Sequence, residues 1–291
     1  MTMSAPTTSL TATAAASEPL VDAPATRSSA LSRRLRTILG PLHPFVWLPL
    51  LVTLAVLGVV WERVAEAMPY LLPPLAEVGE TLVDDAGYYV ANAAITLGEA
   101  LAGLGIGFAA AFVVAVLVSE LPVVRRAILP LAVVLNVTPI VAIAPALVVA
   151  FGFGPLPKIV IAALICFFPI LINTATGLRS VPSPVMQVYR TINASRVEIL
   201  VHLRVPSALP YVFAALRIVF PLSIIGAVVA ELSASGAMGG LGTVISVASS
   251  MNQLAVVYAS ILVLAILGIL LLGIVVLIER RALRWHAAST T

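Results

Sequence analysis

Ser183-Pro184-Val185-Met186-Gln187-Val188-Tyr189-Arg190-Thr191-Ile192-Asn193-Ala194-Ser195-Arg196-Val197-Glu198-Ile199-Leu200-Val201-His202-Leu203-Arg204-Val205-Pro206 is a short polar stretch set between two long apolar ones. Its capping chemistry divides it into two helices. Ser183 followed by Pro184 reads as an N-cap and a proline at the first helical position. That helix is predicted to run to Ile192. Asn193 then ends it, because asparagine is, after glycine, the residue best able to sit at positive φ. Ser195 with Glu198 three residues later is a capping box, so a second helix starts at once. Pro206 is predicted to stop it. Two capped helices in a loop between apolar segments make a docking surface rather than a plain connection.

Outward from this loop the chain is apolar. Its 291 residues are 61% hydrophobic and 10% charged, with a mean hydropathy of +1.12. A soluble domain carries about 25% charged residues. Six runs have the roughly 17–25 residues that cross a bilayer: 45–61, 96–119, 128–151, 159–178, 211–230 and 254–278. The third and fourth contain Pro130, Pro139, Pro145 and Pro169, which predict kinks rather than breaks. No alternating ten-residue pattern for a barrel is present. The expected fold is therefore all-α: a polytopic membrane protein of six transmembrane helices, with the capped helices between spans four and five. Residues 1–32 are rich in Ala, Ser, Thr and Pro and read as a disordered cytoplasmic tail. Residues 33–291 form the membrane domain, with its core at 45–284. No apolar stretch follows an early basic region, so the start does not read as a cleavable signal.

Charge sets the orientation. One side of the membrane carries Arg27, Arg33, Arg34, Arg36, Arg125, Arg126, Arg179, Arg190, Arg196, Arg204, Arg280, Arg281 and Arg284, which is 13 of the 16 basic residues. The positive-inside rule puts that side, both termini and the capped loop in the cytoplasm. Arg63 and Lys158 lie on the other side, with Glu62, Glu66, Glu77, Glu80, Asp84 and Asp85. The net charge of +3 thus reports orientation, not nucleic-acid binding.

Enzyme chemistry is largely excluded. Cys166 is the only cysteine and lies in an apolar span, which permits no internal disulfide or cysteine metal cluster. His43, His202 and His286 are scattered over the cytoplasmic margin, with no metal-ligand spacing. No span contains a histidine to serve an intramembrane protease. The phosphate-cradling pattern G-x-x-x-x-G-K-[ST] is missing too, since Lys158 is the only lysine and follows Pro157. Gly239-Gly240-Leu241-Gly242 reads instead as a turn or re-entrant backbone. If ATP drives this protein, another polypeptide binds it.

Polar residues inside the spans are candidate pathway groups, because burying them in lipid is costly. Glu99 lies near the start of the second span, Asn136 and Thr138 with Pro139 interrupt the third, and Asn173, Thr174 and Thr176 lie late in the fourth. The threonines can instead bond their own helix backbone. Asn136, Thr138 and Asn173 are the pathway candidates. Arg217 lies close enough to the cytoplasmic end of the fifth span to snorkel there, which gives it a structural or gating role. Glu231 is expected to end that span in outer water.

The loop resembles the cytoplasmic loop of bacterial ABC-importer permeases, whose pattern is E-A-A, three residues, Gly, nine residues, I-x-L-P. Gln187, Val188 and Tyr189 stand in the E-A-A places, Asn193 for the glycine, Leu203 for the isoleucine and Val205 for the leucine; Pro206 matches. The triplet and the glycine depart from the pattern. Asn193-Ala194-Ser195-Arg196, Val205-Pro206-Ser207-Ala208-Leu209-Pro210-Tyr211 and Ala215-Leu216-Arg217-Ile218 look like the sulfonate, taurine and nitrate permeases, as do Pro73-Pro74, Glu77-Val78 and Gly240-Leu241-Gly242. The resemblance implies a type I importer permease with no cofactor of its own and no enzyme activity. It implies a second permease copy, two ATPase subunits that bind ATP-Mg, and an external solute-binding protein. Tyr189, Arg190, Asn193, Ala194, Ser195, Arg196, Glu198 and Pro206 would form the ATPase-coupling loop. The implied cargo is a small anion, such as a sulfonate, taurine or nitrate. A thiamine-precursor pyrimidine is the alternative within the class. An ion-coupled secondary transporter is the alternative outside it, and the chain shows none of that class's internal repeats.

Overall fold

The computed structural model describes residues 44–233 and 239–284. The expected tail, with Arg27 to Arg36, His43 and His286, lies outside them. Every regular element among the described residues is helical: α1 (Pro44–Ala67), α2 (Leu75–Asp84), α3 (Ala86–Glu120), α4 (Pro122–Val137), α5 (Ile140–Phe151), α6 (Pro155–Gly177), α7 (Ser183–Thr191), α8 (Arg196–Ile199), α9 (Val205–Ser233), α10 (Leu241–Ser250) and α11 (Leu254–Ala282). The chain divides into two units at Val59–Val60, inside α1.

Five helical stretches are each long and apolar enough to cross a membrane: Leu48–Ala67, Ala86–Glu120, Pro155–Gly177, Arg196–Ser233 and Leu254–Ala282. They correspond to five of the six expected spans. The third, 128–151, is divided between α4 and α5 at Thr138-Pro139, so Pro139 breaks the helix where a kink was expected. Pro139 takes ψ 103°, an extended value, and starts α5 as its cap. Pro130, Pro145 and Pro169 do remain inside their helices.

The core is three spans packed at very short range. Helix α6 packs mainly on α3 and α9. A Cβ added at Gly103 would stand 2.5 Å from the Ala162 Cβ, and one at Gly107 would stand 2.6 Å from the Ala163 carbonyl oxygen. Gly103 and Gly107 are one turn apart, so they let α3 lie against α6 backbone to backbone, as small residues do in membrane helix pairs. Around this contact Ala111, Ala115, Cys166, Ile170, Leu171 and Val219 are buried.

The loop follows its local rules at one end and breaks them at the other. Pro182 caps α7, so Ser183 and Pro184 are the first two helical residues, one position later than expected, and no side chain caps the end. The last helical residue is Thr191. Asn193 takes φ 52°; its N–H donates to the Arg190 carbonyl at 3.1 Å, and Ala194 N–H donates to the Tyr189 carbonyl at 3.0 Å. These two bonds make a Schellman ending with asparagine in the glycine place. Pro206, however, does not stop the second helix. Helix α8 runs through a π-helical turn, Leu200–Arg204, into α9, one helix from Arg196 to Ser233. Val205 N–H reaches back five residues to the Leu200 carbonyl. The wider turn shifts the hydrogen-bond register just before a residue with no N–H, which lets the helix pass the proline.

Candidate functional site

The loop of α7 and α8 is an exposed wedge with a closed cap. Glu198 N–H donates to Ser195 Oγ at 3.2 Å, and Ser195 N–H donates to Glu198 Oε2 at 2.7 Å, closing the expected capping box. Tyr189 and Ala194 are half-buried, while Arg190, Asn193, Ser195, Arg196 and Glu198 are exposed. Apolar side chains share this surface: Val188, Ile192, Val197 and Val201 are each more than half exposed. Behind the wedge, Arg204 in the π-turn donates to Glu120 at the end of α3. These two groups, with Arg179 after α6, sit where the ends of three spans converge. Arg217 donates to Glu279 near the end of α11. That pairing joins α9 to α11.

Two of the pathway candidates bond their own helices. Thr138 Oγ1 donates to the Val134 carbonyl at 3.1 Å, and Asn173 Nδ2 donates to the Pro169 carbonyl at 2.8 Å. Thr176 likewise bonds its own helix, to the Ile172 carbonyl at 2.8 Å. Asn173 and Thr176 occupy carbonyls on the helix that carries Pro169. The side chain of Asn136 lies outside the described residues.

A second polar assembly, which the sequence did not reveal, lies at the opposite ends of the spans. Lys158, expected on the outer flank, is 1% exposed; its Nζ donates to Glu99 Oε1 at 2.9 Å and to the Gly239 carbonyl at 3.2 Å. Glu231, expected in water, is 0% exposed. It accepts from Thr96 Oγ1 at 2.8 Å and from Gly242 N–H at 2.6 Å. Leu241 N–H donates to Thr96 Oγ1 at 2.8 Å, and Gly240 N–H donates to Asn92 Oδ1 at 2.9 Å. Three successive amides at the start of α10 thus meet side chains from α3 and α9. The approach requires glycine: Gly240 has φ 105°, and a Cβ there would stand 2.1 Å from Glu231 Oε1. A carboxylate at a helix N-terminus is also favoured by the helix dipole. Glu99 Oε2 is buried with no partner among the described residues. The one signal available in advance was a lone charge at each end of an apolar run, and a snorkelling side chain gives the same pattern.

The family model for the inner membrane component of binding-protein-dependent transport systems matches residues 103–284, which include the wedge, Lys158 and Glu231. The chain belongs to this family. It is the transmembrane permease subunit of an ABC importer, similar to the sulfonate and taurine permease group. The permease is 34% identical over 226 residues to a probable ABC transporter permease of Haemophilus influenzae, covering 77% of this chain and 91% of that one. It is 34% identical over 237 residues to the formylaminopyrimidine transport permease ThiX of Halalkalibacterium halodurans, covering 79% and 92%. To the taurine transport permease TauC of Escherichia coli it is 33% identical over 245 residues, covering 80% and 88%. Its fold resembles a chain of the inward-facing MetNI methionine ABC transporter, with a TM-score of 0.58 at 20% identity over 66% of this chain and 95% of that one.

Proposed function

We propose that this permease couples ATP hydrolysis on separate subunits to solute import through the wedge formed by α7, α8 and the π-turn. It works as one of two permease copies in the plasma membrane, with both termini cytoplasmic. Two ATPase subunits carry the ATP-Mg, and an external solute-binding protein delivers the cargo. The observation that carries this reading is the wedge itself. Exposed apolar residues on α7 and on the capped, polar start of the stretch Arg196–Ser233 are what a docked partner covers. Arg204–Glu120 ties that segment to the end of α3, so force applied there reaches a span. The test is co-expression with the cognate ATPase. Val188→Glu with Val197→Glu should abolish co-purification while leaving membrane insertion intact. Retention of the ATPase by that variant would remove the coupling role.

Of the two cargo classes, the neutral one agrees better with the geometry. A sulfonate, taurine or nitrate-like anion calls for an available cation. Lys158 and Arg217, two basic residues of the spans, are each already paired with a carboxylate. The amides at the start of α10 are taken by Glu231, Thr96 and Asn92. A thiamine-precursor pyrimidine, the type of cargo named for one relative, needs no such cation. Calorimetric titration of the cognate solute-binding protein with taurine and with formylaminopyrimidine decides between them.

A further inference from the structure

The buried assembly at the start of α10 is built from polar side chains on each of the three spans that form the core. Glu99 and Thr96 come from α3, Lys158 from α6 and Glu231 from α9. What they grip is small. Helix α10 has 10 residues, too few to cross a bilayer, and turns at positive φ bound both of its ends, at Gly239–Gly240 and at Asn252. Its first amides are satisfied by side chains of α3 and α9, and the Gly239 carbonyl accepts both from Lys158 and from Thr243 Oγ1 of its own helix. Any change in the relative tilt of α3, α6 and α9 therefore changes the grip on α10. Glu99 and Glu120 stand 21 residues apart on α3, which is about 31 Å of helix and one hydrocarbon thickness. The grip is thus at the membrane face opposite the wedge.

We propose that Lys158, Glu99 and Glu231 are positioning residues of the transport cycle: a clasp that holds α10 on the outer ends of the three spans and releases it when those ends part. The clasp acts through α10 and need not touch solute. This inference rests on the importer reading above. In a low-dielectric site each of these bonds is strong when made and costly when left open. The device is therefore two-state, engaged or released. Charged partners in different spans make it sensitive to small rotations, which apolar packing tolerates more easily.

The test uses the complex with its ATPase subunits in nanodiscs. Ala248 is 2% exposed on α10 and serves as reporter, as Ala248→Cys in a Cys166→Ala background. A water-soluble maleimide should label it slowly without nucleotide and faster after trapping with ATP and vanadate. In Lys158→Met with Glu99→Gln, labelling without nucleotide should rise by roughly 5- to 150-fold, the span of an ordinary coupling free energy. Removing the Lys158–Glu99 pair as a whole leaves neither of these two charges without its partner, so thermal stability and ATPase co-purification should be kept. Thr96→Val, which removes the acceptor for Leu241 N–H, should also raise labelling. Thr96→Ser, which keeps the hydroxyl, should restore protection. Unchanged protection in both the double variant and Thr96→Val would overturn the clasp. So would loss of protection that only tracks loss of thermal stability. Failure of the importer reading is seen separately, as a wild-type chain that does not bind the ATPase at all.

Discussion

Arg204 and Glu120 stand 84 residues apart in sequence, yet the Arg204 Nη1 donates to Glu120 Oε1 at 2.5 Å. The pair crosses from the π-turn beneath the wedge to the last turn of α3, and both side chains are about one-quarter exposed or less. Such a part-exposed pair adds little to global stability. Its value lies in linkage. Arg204→Gln and Glu120→Gln should each leave the complex assembled and lower transport per ATP consumed several-fold. The double variant should be no worse than either single one. Additive losses in reconstituted transport would show that the two residues act independently.

The capping box makes a sharper distinction. Ser195→Ala with Glu198→Ala should leave insertion and expression intact, because the box lies outside the core. ATPase co-purification and transport should fall sharply. Glu198→Gln should retain both, since glutamine also closes the box. Asn193→Gly should be tolerated at φ 52°, and Asn193→Val should not.

The same residue gives a pH prediction. Hydrogen bonds from the Ser195 backbone and then the Ser195 hydroxyl, with a smaller contribution from His202, hold the Glu198 carboxyl below the usual range. A depressed folded pKa contributes stability that is fully present above the unfolded value of about 4.3. That stability is lost as pH falls through the still lower folded value. Amide exchange protection at Arg196–Ile199 should therefore be flat across neutral pH and fall only in strong acid. Glu198→Gln should remove the acid loss. A transition near neutrality would exclude this assignment.

Orientation is open to direct labelling. Single cysteines in a Cys166→Ala background should react with an impermeant thiol reagent in intact cells at Asp84 and not at Arg196. The reverse pattern would invert the membrane topology and place the wedge out of reach of any ATPase.

Core packing predicts one large loss beside one silent control. Gly103→Val would press its side chain against Ala162 and the Ile159 carbonyl. It should cost about 1–3 kcal/mol and lower the thermal midpoint of the purified complex. Gly105→Ala, with nothing within 4 Å of the added carbon, should leave the midpoint unchanged or slightly raised.

These sites differ in how far the chain announced them. The Ser195–Glu198 box and the Asn193 ending depend on neighbours within five residues, so local chemistry determines them. The spans follow from apolar run length, which the bilayer enforces. The break at Pro139 was less legible, because a proline in an apolar run either kinks or breaks a helix, and the surrounding packing chooses. The passage through Pro206 depends on a π-turn that no local rule demands. The clasp was hidden altogether. Lys158 and Glu99 are 59 residues apart, and Thr96 and Glu231 are 135 apart. The close approach of α3 to α6 at Gly103 and Gly107 accompanies the first pair, and small residues alone do not name their partner.

The π-turn at Leu200–Arg204 also sets an angular phase. Each residue of an α-helix advances about 100° around its axis, and a π-turn accommodates roughly one extra residue without a matching advance of the bond ladder. The surplus residue is therefore taken up inside the turn, and Ser195–Glu198 keep their bearing relative to α9. Excising one residue from the turn would leave the helix unbroken and the wedge on much the same side of it, while returning the hydrogen bonds before Pro206 to the ordinary register. The turn thus uncouples the length of this segment from the direction in which the permease presents its wedge.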